Sequence, residues 1–217
     1  MQYSTFAAID IGSYDVILEI FEISKKQGIR SVDKICHRME LGKDTYTLGK
    51  IRPEMEEELC RVLADFVRIM EGYRVDDYRA TASSAISEAS NSLYVLGKIH
   101  QLTGLSVTVL SNSEQRFLSY KALAAMEDNF NKIIEKGTAI LDLDGGSFQI
   151  SLFDKDALVT TQNIRMGSLR IRERLAGIQS ETEHYEEMVE ELIWNEVSSF
   201  KTVSYTHLRA HETCADL

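Results

Sequence analysis

Two short segments of the chain repeat one pattern, in which an aspartate closes an apolar run and small residues follow it. The first segment is Asp10-Ile11-Gly12-Ser13, and the second is Asp142-Leu143-Asp144-Gly145-Gly146-Ser147. A turn of this kind at the end of a strand places a carboxylate, which can hold a divalent cation, beside backbone N–H groups, which can hold phosphate oxygens. Two such turns facing each other predict a cleft for a phosphate chain.

Charge and hydropathy narrow the classes of partner. The 217 residues are 44% hydrophobic, which is ordinary for a globular protein, and carry a formal net charge of −10. This net negative charge argues against a general nucleic-acid-binding surface. If the ligand is a polyanion, a local basic groove or a bound metal must offset the charge. Since no apolar run approaches the ~18–20 residues of a membrane-spanning helix and the first residues lack a secretory signal pattern, we expect a cytoplasmic protein with no membrane or nucleic-acid partner.

The first half of the chain predicts a three-stranded meander followed by alternating helices and strands. Apolar periodicity predicts strands at 5–11, 16–23 and 29–41, a helix from Pro53 to about Gly72, a strand at 77–82, a helix within 88–103, a strand at 105–110 and a helix from Ser111 to about Glu127. Within 88–103 the expected apolar stripe is Leu93, Leu96, Ile99 and Leu102, with Gly104 as the helix stop.

The second half restarts the same order. Strands are predicted at 138–143, 147–153 and 157–164, followed by helices at 168–176 and at about 181–200. The repeated order predicts two related α/β lobes, the first at 1–127 and a second, incomplete one at 128–201. Residues from Lys201 onward show no clear period and resemble a translated sequencing-adapter read-through. We interpret 202–217 as a non-native tail, the alternative being a genuine frayed terminus.

Ordered motifs give the chain a family resemblance over about residues 1–176. It resembles the exopolyphosphatase / guanosine pentaphosphate phosphatase (Ppx/GppA) family of the actin-like ATPase superfamily. The segments that carry the resemblance are 8–13 (AIDIGS), 41–49 (LG with a second LG), 82–91 (ASSAISEASN), 103–105 (TGL), 109–111 (VLS), 142–147 (DLDGGS) and 166–170 (MGSLR). Each motif is weak alone, but their shared order is specific.

The resemblance implies an actin-like (ribonuclease H-like) α/β fold of duplicated βββαβα lobes. It also implies hydrolysis of the terminal phosphoanhydride bond of polyphosphate or of guanosine pentaphosphate. The implied cofactor is a divalent metal ion, with Mg²⁺ the first candidate. A homodimer is one expected assembly. The implied metal ligands are Asp10, Asp142 and Asp144, and the implied phosphate-binding residues are Gly12, Ser13, Gly145, Gly146 and Ser147.

Several positions depart from the family pattern: the TE that usually follows the second turn becomes Phe148-Gln149, and three further departures bear directly on the chemistry. The water-activating glutamate, which is the second of an adjacent acidic pair, falls on Gln115, with Glu114 beside it. Glutamine cannot accept a proton from water, and general-base help contributes typically ~10²–10⁴ in rate. The family arginine falls on Ser87, which cannot make a bidentate phosphate contact. The first glycine of the second turn falls on Asp144, whose charge would either oppose phosphate or recruit a cation.

Several of these residues also have ordinary structural interpretations. Asp10 and Asp142 fit turn caps, and Ser111 with Glu114 forms the S-x-x-E pattern of a helix capping box. Glu114 could replace the missing base only if the helix start were rotated, because its side chain points ~100° away from that of its neighbour. Arg170 fits packing or a solvated surface better than a phosphate contact.

Three functions stay open at this point. The first is a metal-dependent phosphoanhydride hydrolase whose turnover is impaired by Gln115. The second is a non-catalytic family member that binds a phosphorylated ligand and reports it to a partner. The third, an actin-like nucleotide-binding or kinase relative, lacks a distinct adenosine motif and ranks last.

Overall fold

The computed structural model describes residues 3–26, 28–126, 130–135, 137–176 and 184–198. The chain forms two compact units, residues 1–119 and 120–217. The predicted lobe boundary at 127/128 and the predicted tail at 202–217 both lie outside the described residues. Within the described ranges, no helix combines the length and apolarity needed to cross a membrane.

The first unit is built on a five-stranded sheet of order β3-β2-β1-β4-β5. Strands β1, β2 and β3 form the antiparallel meander, while β4 runs parallel to β1 and β5 parallel to β4. The elements are β1 (Ser4–Ile11), β2 (Asp15–Ser24), β3 (Gly28–Arg38), α1 (Leu41–Leu48), α2 (Pro53–Tyr73), β4 (Asp77–Ala82), α3 (Ser84–Ser87), α4 (Ser92–Thr103), β5 (Val107–Val109) and α5 (Asn112–Met126), the last of which ends in the second unit.

Alternation of apolar residues explains the central strands. Inward-facing side chains on β1 and β2 are fully buried, and helix α2 presents an apolar stripe that belongs to the same core. Pro53 suits the first turn of α2, because that position needs no N–H. The buried residues of these three elements include Ala7, Ile9, Ile11, Val16, Leu18, Ile20, Leu59, Leu63 and Phe66.

Two local predictions were wrong. The third strand ends at Arg38 and not at 41, because Glu40 takes a left-handed conformation (φ 53°) and residues 41–48 form helix α1. In α4 the buried residues are Val95 and Ile99, whereas Leu93 is 85% exposed. The predicted stripe was right at Ile99 and wrong at Leu93 and Leu102, because packing of α4 against α2 determines which of its apolar residues are buried.

The second unit repeats the opening βββα order on a smaller sheet. Its strands β6, β7 and β8 form a three-stranded antiparallel sheet in sequence order. Its core contains Ile150, Ile164 and Met166, and Leu192 packs against them from a helix at residues 185–198. The elements are α6 (Phe130–Ile134), β6 (Thr138–Leu143), β7 (Phe148–Asp154), β8 (Ala157–Ile164) and α7 (Ser168–Leu175).

One side chain clamps the connection between α1 and α2 to the start of α4. Asn91 accepts a hydrogen bond from the Ile51 N–H (3.0 Å) and donates to the Ile51 carbonyl (2.8 Å) and to Glu56 (2.8 Å). Ile51 is buried, and the Glu56 carboxylate also pairs with Lys98 at 3.3 Å. Asn91 therefore satisfies the backbone N–H and carbonyl groups of a buried residue that lies in no helix or strand.

We expect Asn91→Ala to lower the free energy of unfolding by about 1–3 kcal/mol, because buried donors and acceptors lose their partner. Urea denaturation followed by circular dichroism measures the change. Ser90→Ala, an exposed neighbour, is the matched control and should change stability by no more than about 0.5 kcal/mol. Equal stabilities for the two variants would contradict the clamp.

Candidate functional site

The first aspartate turn connects β1 to β2. Asp10 lies at the end of β1 with an exposed side chain, and Thr81 on the neighbouring β4 approaches it at 3.5 Å. Gly12 closes the turn by donating its N–H to the Asp15 carbonyl at 2.9 Å. A Cβ at Gly12 would lie only 3.0 Å from that carbonyl oxygen. The turn therefore favours glycine and keeps the Asp10 carboxylate at the surface, where a cation could reach it.

Ser13 points inward into a cluster of three hydroxyl groups. Its Oγ lies 2.6 Å from the Tyr46 hydroxyl and 3.3 Å from the Ser84 Oγ, and the last two are 2.8 Å apart. Ser13 is buried, so its hydroxyl joins the turn to α1 and α3. Sequence reasoning missed Tyr46 and Ser84 as partners, although both lie within the motif segments 41–49 and 82–91. The hydroxyl of Ser13 thus has a positioning role in this structure.

The second turn connects β6 to β7 and folds around the side chain of Asp144. The Asp144 Oδ1 accepts hydrogen bonds from the N–H groups of Gly146 (2.6 Å) and Ser147 (2.7 Å). The Asp144 N–H in turn donates to the Ser147 carbonyl at 3.0 Å. Bonds from N–H donors to a carboxylate are among the shorter and stronger ones in proteins. The donors predicted to hold phosphate therefore hold an internal carboxylate here.

The segment around the start of α7 packs directly on the backbone of this turn. A Cβ placed at Gly167 would lie 2.5 Å from the Gly145 carbonyl oxygen, which no real side chain tolerates. The Ser168 N–H donates to the Asp144 carbonyl at 3.0 Å, and the Arg170 Nε donates to the Gly146 carbonyl at 2.9 Å. Arg170 thus packs against the backbone of the turn, as its structural interpretation predicts.

A capping box begins helix α5, as the Ser-x-x-Glu pattern predicts. The Glu114 Oε2 accepts hydrogen bonds from the Ser111 N–H and hydroxyl, both at 2.8 Å, and the Glu114 N–H donates to the Ser111 Oγ at 3.2 Å. The Ser111 N–H, the Ser111 hydroxyl and the positive charge of Arg79 lower the pKa of Glu114 below its ordinary value of 4.5. This carboxylate is therefore a weaker base than a free glutamate. Gln115 follows it half-buried, and its amide has no basic oxygen.

Metal binding depends on the chemistry of the three predicted carboxylates. Asp10 in the first unit and Asp142 in the second are exposed at strand ends, while Asp144 accepts the two backbone bonds described above. Mg²⁺ keeps several waters and takes one or two protein carboxylates, so exposed Asp10 and Asp142 suit it as donors. Nowhere in the described parts of the chain do three or more His, Cys, Asp or Glu side chains form a group able to hold a metal. The metal assignments stay predictions.

Comparison with known proteins identifies related sequences. The model of the Ppx/GppA phosphatase family matches residues 19–215. Exopolyphosphatase 1 of Mycobacterium leprae is 25% identical over 144 residues, which cover 66% of this chain and 41% of that protein. The bifunctional 3-dehydroquinate synthase/phosphatase of Fusobacterium nucleatum is 22% identical over 174 residues, covering 77% of this chain and 26% of that protein. The chain therefore spans less than half the length of these curated relatives.

Solved structures of similar fold agree with this result. A Ppx/GppA protein of Aquifex aeolicus superimposes with a TM-score of 0.68 at 23% identity, over 92% of this chain and 63% of that one. An exopolyphosphatase of Cytophaga hutchinsonii gives a TM-score of 0.69 at 22% identity, over 79% of this chain and 53% of that one. The predicted actin-like α/β fold and the predicted family resemblance are confirmed.

We expect Gly167→Ala to lower the free energy of unfolding by about 1–3 kcal/mol, because the added methyl meets backbone atoms that cannot rotate away. Thermal and urea denaturation measure the effect. Gly137→Ala is the control in the same unit, since a Cβ there meets no atom within 4 Å, and it should change stability by less than about 1 kcal/mol. A Gly167→Ala chain as stable as the control would contradict the close packing.

We expect the stabilising effect of Glu114 to depend on pH. Because folding lowers its pKa, the contribution is present above about pH 4.5 and is lost as the pH falls through the folded-state pKa. The melting temperature of Glu114→Gln should therefore lie below that of the parent chain at pH 7, and the two should converge in acid. Glu57→Gln, an exposed change on α2, controls for loss of charge. A gap that persists unchanged at pH 3 would refute the capping-box explanation.

Proposed function

The chain belongs to the Ppx/GppA phosphatase family, and on that premise we propose that it hydrolyses the terminal phosphoanhydride bond of polyphosphate or of a guanosine pentaphosphate, with Mg²⁺ as cofactor and with slow turnover. The observation that carries the proposal is the repeated strand–turn–strand arrangement in which Asp10 and Asp142 end a strand ahead of a glycine turn. Family membership gives this arrangement its chemical meaning, because a phosphate chain needs both charge neutralisation and backbone donors.

In phosphoanhydride hydrolysis the protein mainly positions water and offsets negative charge, because the leaving group is already good. A divalent cation, when bound, neutralises charge on the phosphate oxygens. In this proposal Asp10 of the first unit and Asp142 of the second are each a candidate cation ligand, and backbone N–H groups of the glycine turns orient the phosphate. The overall charge of −10 makes this local neutralisation necessary for a polyanionic substrate.

Activation of the attacking water is the step that the residues at positions 114 and 115 support least. Gln115 occupies the position of the family's general base and cannot accept a proton. Glu114 is the adjacent carboxylate, but two hydrogen bonds from Ser111 hold it and lower its pKa. A base of this kind removes a proton from water inefficiently, so we propose that activity is reduced by the ~10²–10⁴ typical of a lost general base.

The same observations favour one second candidate function. A chain that retains the binding turns and lacks a base could bind a phosphorylated ligand without turnover and report it to a partner protein. Ligand binding alone would raise the melting temperature, because a ligand that binds only the folded state stabilises it. The two candidates therefore differ in phosphate release and not in stabilisation.

Restoring a carboxylate at position 115 distinguishes the hydrolase from the non-catalytic binding protein. We expect Gln115→Glu to raise the rate of phosphate release from polyphosphate or guanosine pentaphosphate, in the presence of Mg²⁺, by up to ~10²–10⁴ over the parent chain. Release of orthophosphate under single-turnover conditions is the measurement. The physical reason is that the new carboxylate accepts a proton from the attacking water.

Two control variants test whether a gain in the rate of phosphate release comes from the new carboxylate at position 115. Gln101→Glu introduces the same charge on an exposed face of α4 in the same unit and should leave the rate unchanged. Asp142→Ala in the Gln115→Glu background should abolish the gain, because the proposed metal ligand is lost. Stabilisation of the parent chain by ligand, with no phosphate release even from Gln115→Glu, would replace the hydrolase proposal with the non-catalytic one.

A further inference from the structure

Resting on the proposed function, we propose that Asp144 is an internal competitor that lowers the affinity of the second turn for phosphate. Its carboxylate is a built-in anion on the N–H groups of Gly146 and Ser147, and a phosphate must displace it before binding there. The consequence is an apparent affinity for phosphate that is reduced by the fraction of time for which the carboxylate holds these two N–H groups.

The geometry of the turn supports direct competition. One oxygen, the Asp144 Oδ1, receives both N–H groups, at 2.6 Å from Gly146 and 2.7 Å from Ser147. A phosphate oxygen held by the same pair needs the same position, since N–H donors bind an anionic oxygen at about 2.7–2.9 Å. Two anionic oxygens cannot share this point, so occupancy by the carboxylate excludes phosphate from it.

The surroundings of the turn determine which part can move. Gly167 packs on the backbone of Gly145, and the Arg170 side chain and the Ser168 N–H hold neighbouring carbonyl groups. The backbone donors are therefore held in place from outside. The Asp144 side chain turns about its own Cα–Cβ bond, so exchange of carboxylate for phosphate requires a rotamer change and no rearrangement of the loop.

The backbone at position 144 also allows the residue to be changed without strain. Among the described non-glycine residues of this unit, left-handed φ values occur at Lys155 and Asp156, not at Asp144. Glycine, which the family pattern has at this position, therefore fits this backbone without strain and removes the competing carboxylate. If the carboxylate occupies the donors about nine-tenths of the time, its removal tightens phosphate binding about tenfold.

A second possible role for this carboxylate, that of a metal ligand, predicts a change of the opposite sign. As a metal ligand, Asp144 would support phosphate binding in the presence of Mg²⁺, and its loss would weaken that binding. As a competitor, it opposes phosphate binding with or without Mg²⁺. Measurements in EDTA and in excess Mg²⁺ therefore separate the two roles by the direction of the change.

The experiment uses the full chain and two probes, tripolyphosphate and orthophosphate, titrated calorimetrically into the parent and into Asp144→Gly and Asp144→Asn. We expect Asp144→Gly to bind both probes about tenfold more tightly, and Asp144→Asn, which keeps an acceptor oxygen without the charge, to be intermediate. Asp156→Gly is the matched control, because it removes the same charge from the exposed β7–β8 turn of the same unit at a residue with φ 61°. It should leave binding unchanged.

Amide NMR shifts of Gly146 and Ser147 provide a readout that does not depend on catalysis. In Asp144→Gly both amide protons should move upfield as the carboxylate bond is lost, and saturating tripolyphosphate should return them downfield. Unchanged or weaker binding by Asp144→Gly, with amide shifts insensitive to phosphate, would overturn the proposal. Failure of the proposed function is a different result, namely the absence of phosphate release from Gln115→Glu while tighter binding by Asp144→Gly persists.

Discussion

The parallel register between β1 and β4 is the constraint on which the first unit depends. Ile11 lies opposite Ala82, and the Ser83 N–H donates to the Ile11 carbonyl at 3.2 Å. On the other side of β4, Ala82 lies opposite Val109 in β5. The carboxyl ends of three strands therefore meet at one edge of the sheet, which is where α/β proteins place their ligands. A shift of one residue would turn every buried side chain of β1 to the opposite face.

This register also explains how functional segments that are far apart in sequence come to one edge of the sheet. The Asp10 turn, the hydroxyl of Ser84 and the capping box at Ser111 each follow directly on one of these strand ends. Pairing of the strands places these segments at one edge of the sheet, because each segment is too short to hold the others in place by itself. Burial of β1 between β2 and β4 makes the arrangement rigid, because its apolar side is packed into the core of the unit.

Much of this organisation could be predicted from sequence, because it rests on short-range patterns. Apolar and β-rich runs predicted the eight strands of the described residues, and the bounds of β4, β6 and β8 were correct at both ends. Failures came where a contact between distant residues decides the outcome. The inward direction of Ser13 depends on Tyr46, 33 residues away, and the burial of one face of α4 depends on its packing against α2. The role of Asp144 depends on the direction of its side chain, which a residue type alone does not determine.

The contact of Gly167 with the second turn has a consequence for how this family can vary. A clash between two side chains can be relieved by making either one smaller, so such positions often change in pairs. Here the atoms opposite Gly167 are the carbonyl group of Gly145 and the nitrogen of Ser147, which belong to the backbone and are present whatever residues occupy those positions. No substitution of those two residues removes these atoms, so a side chain at 167 could be accommodated only by a shift of the backbone itself.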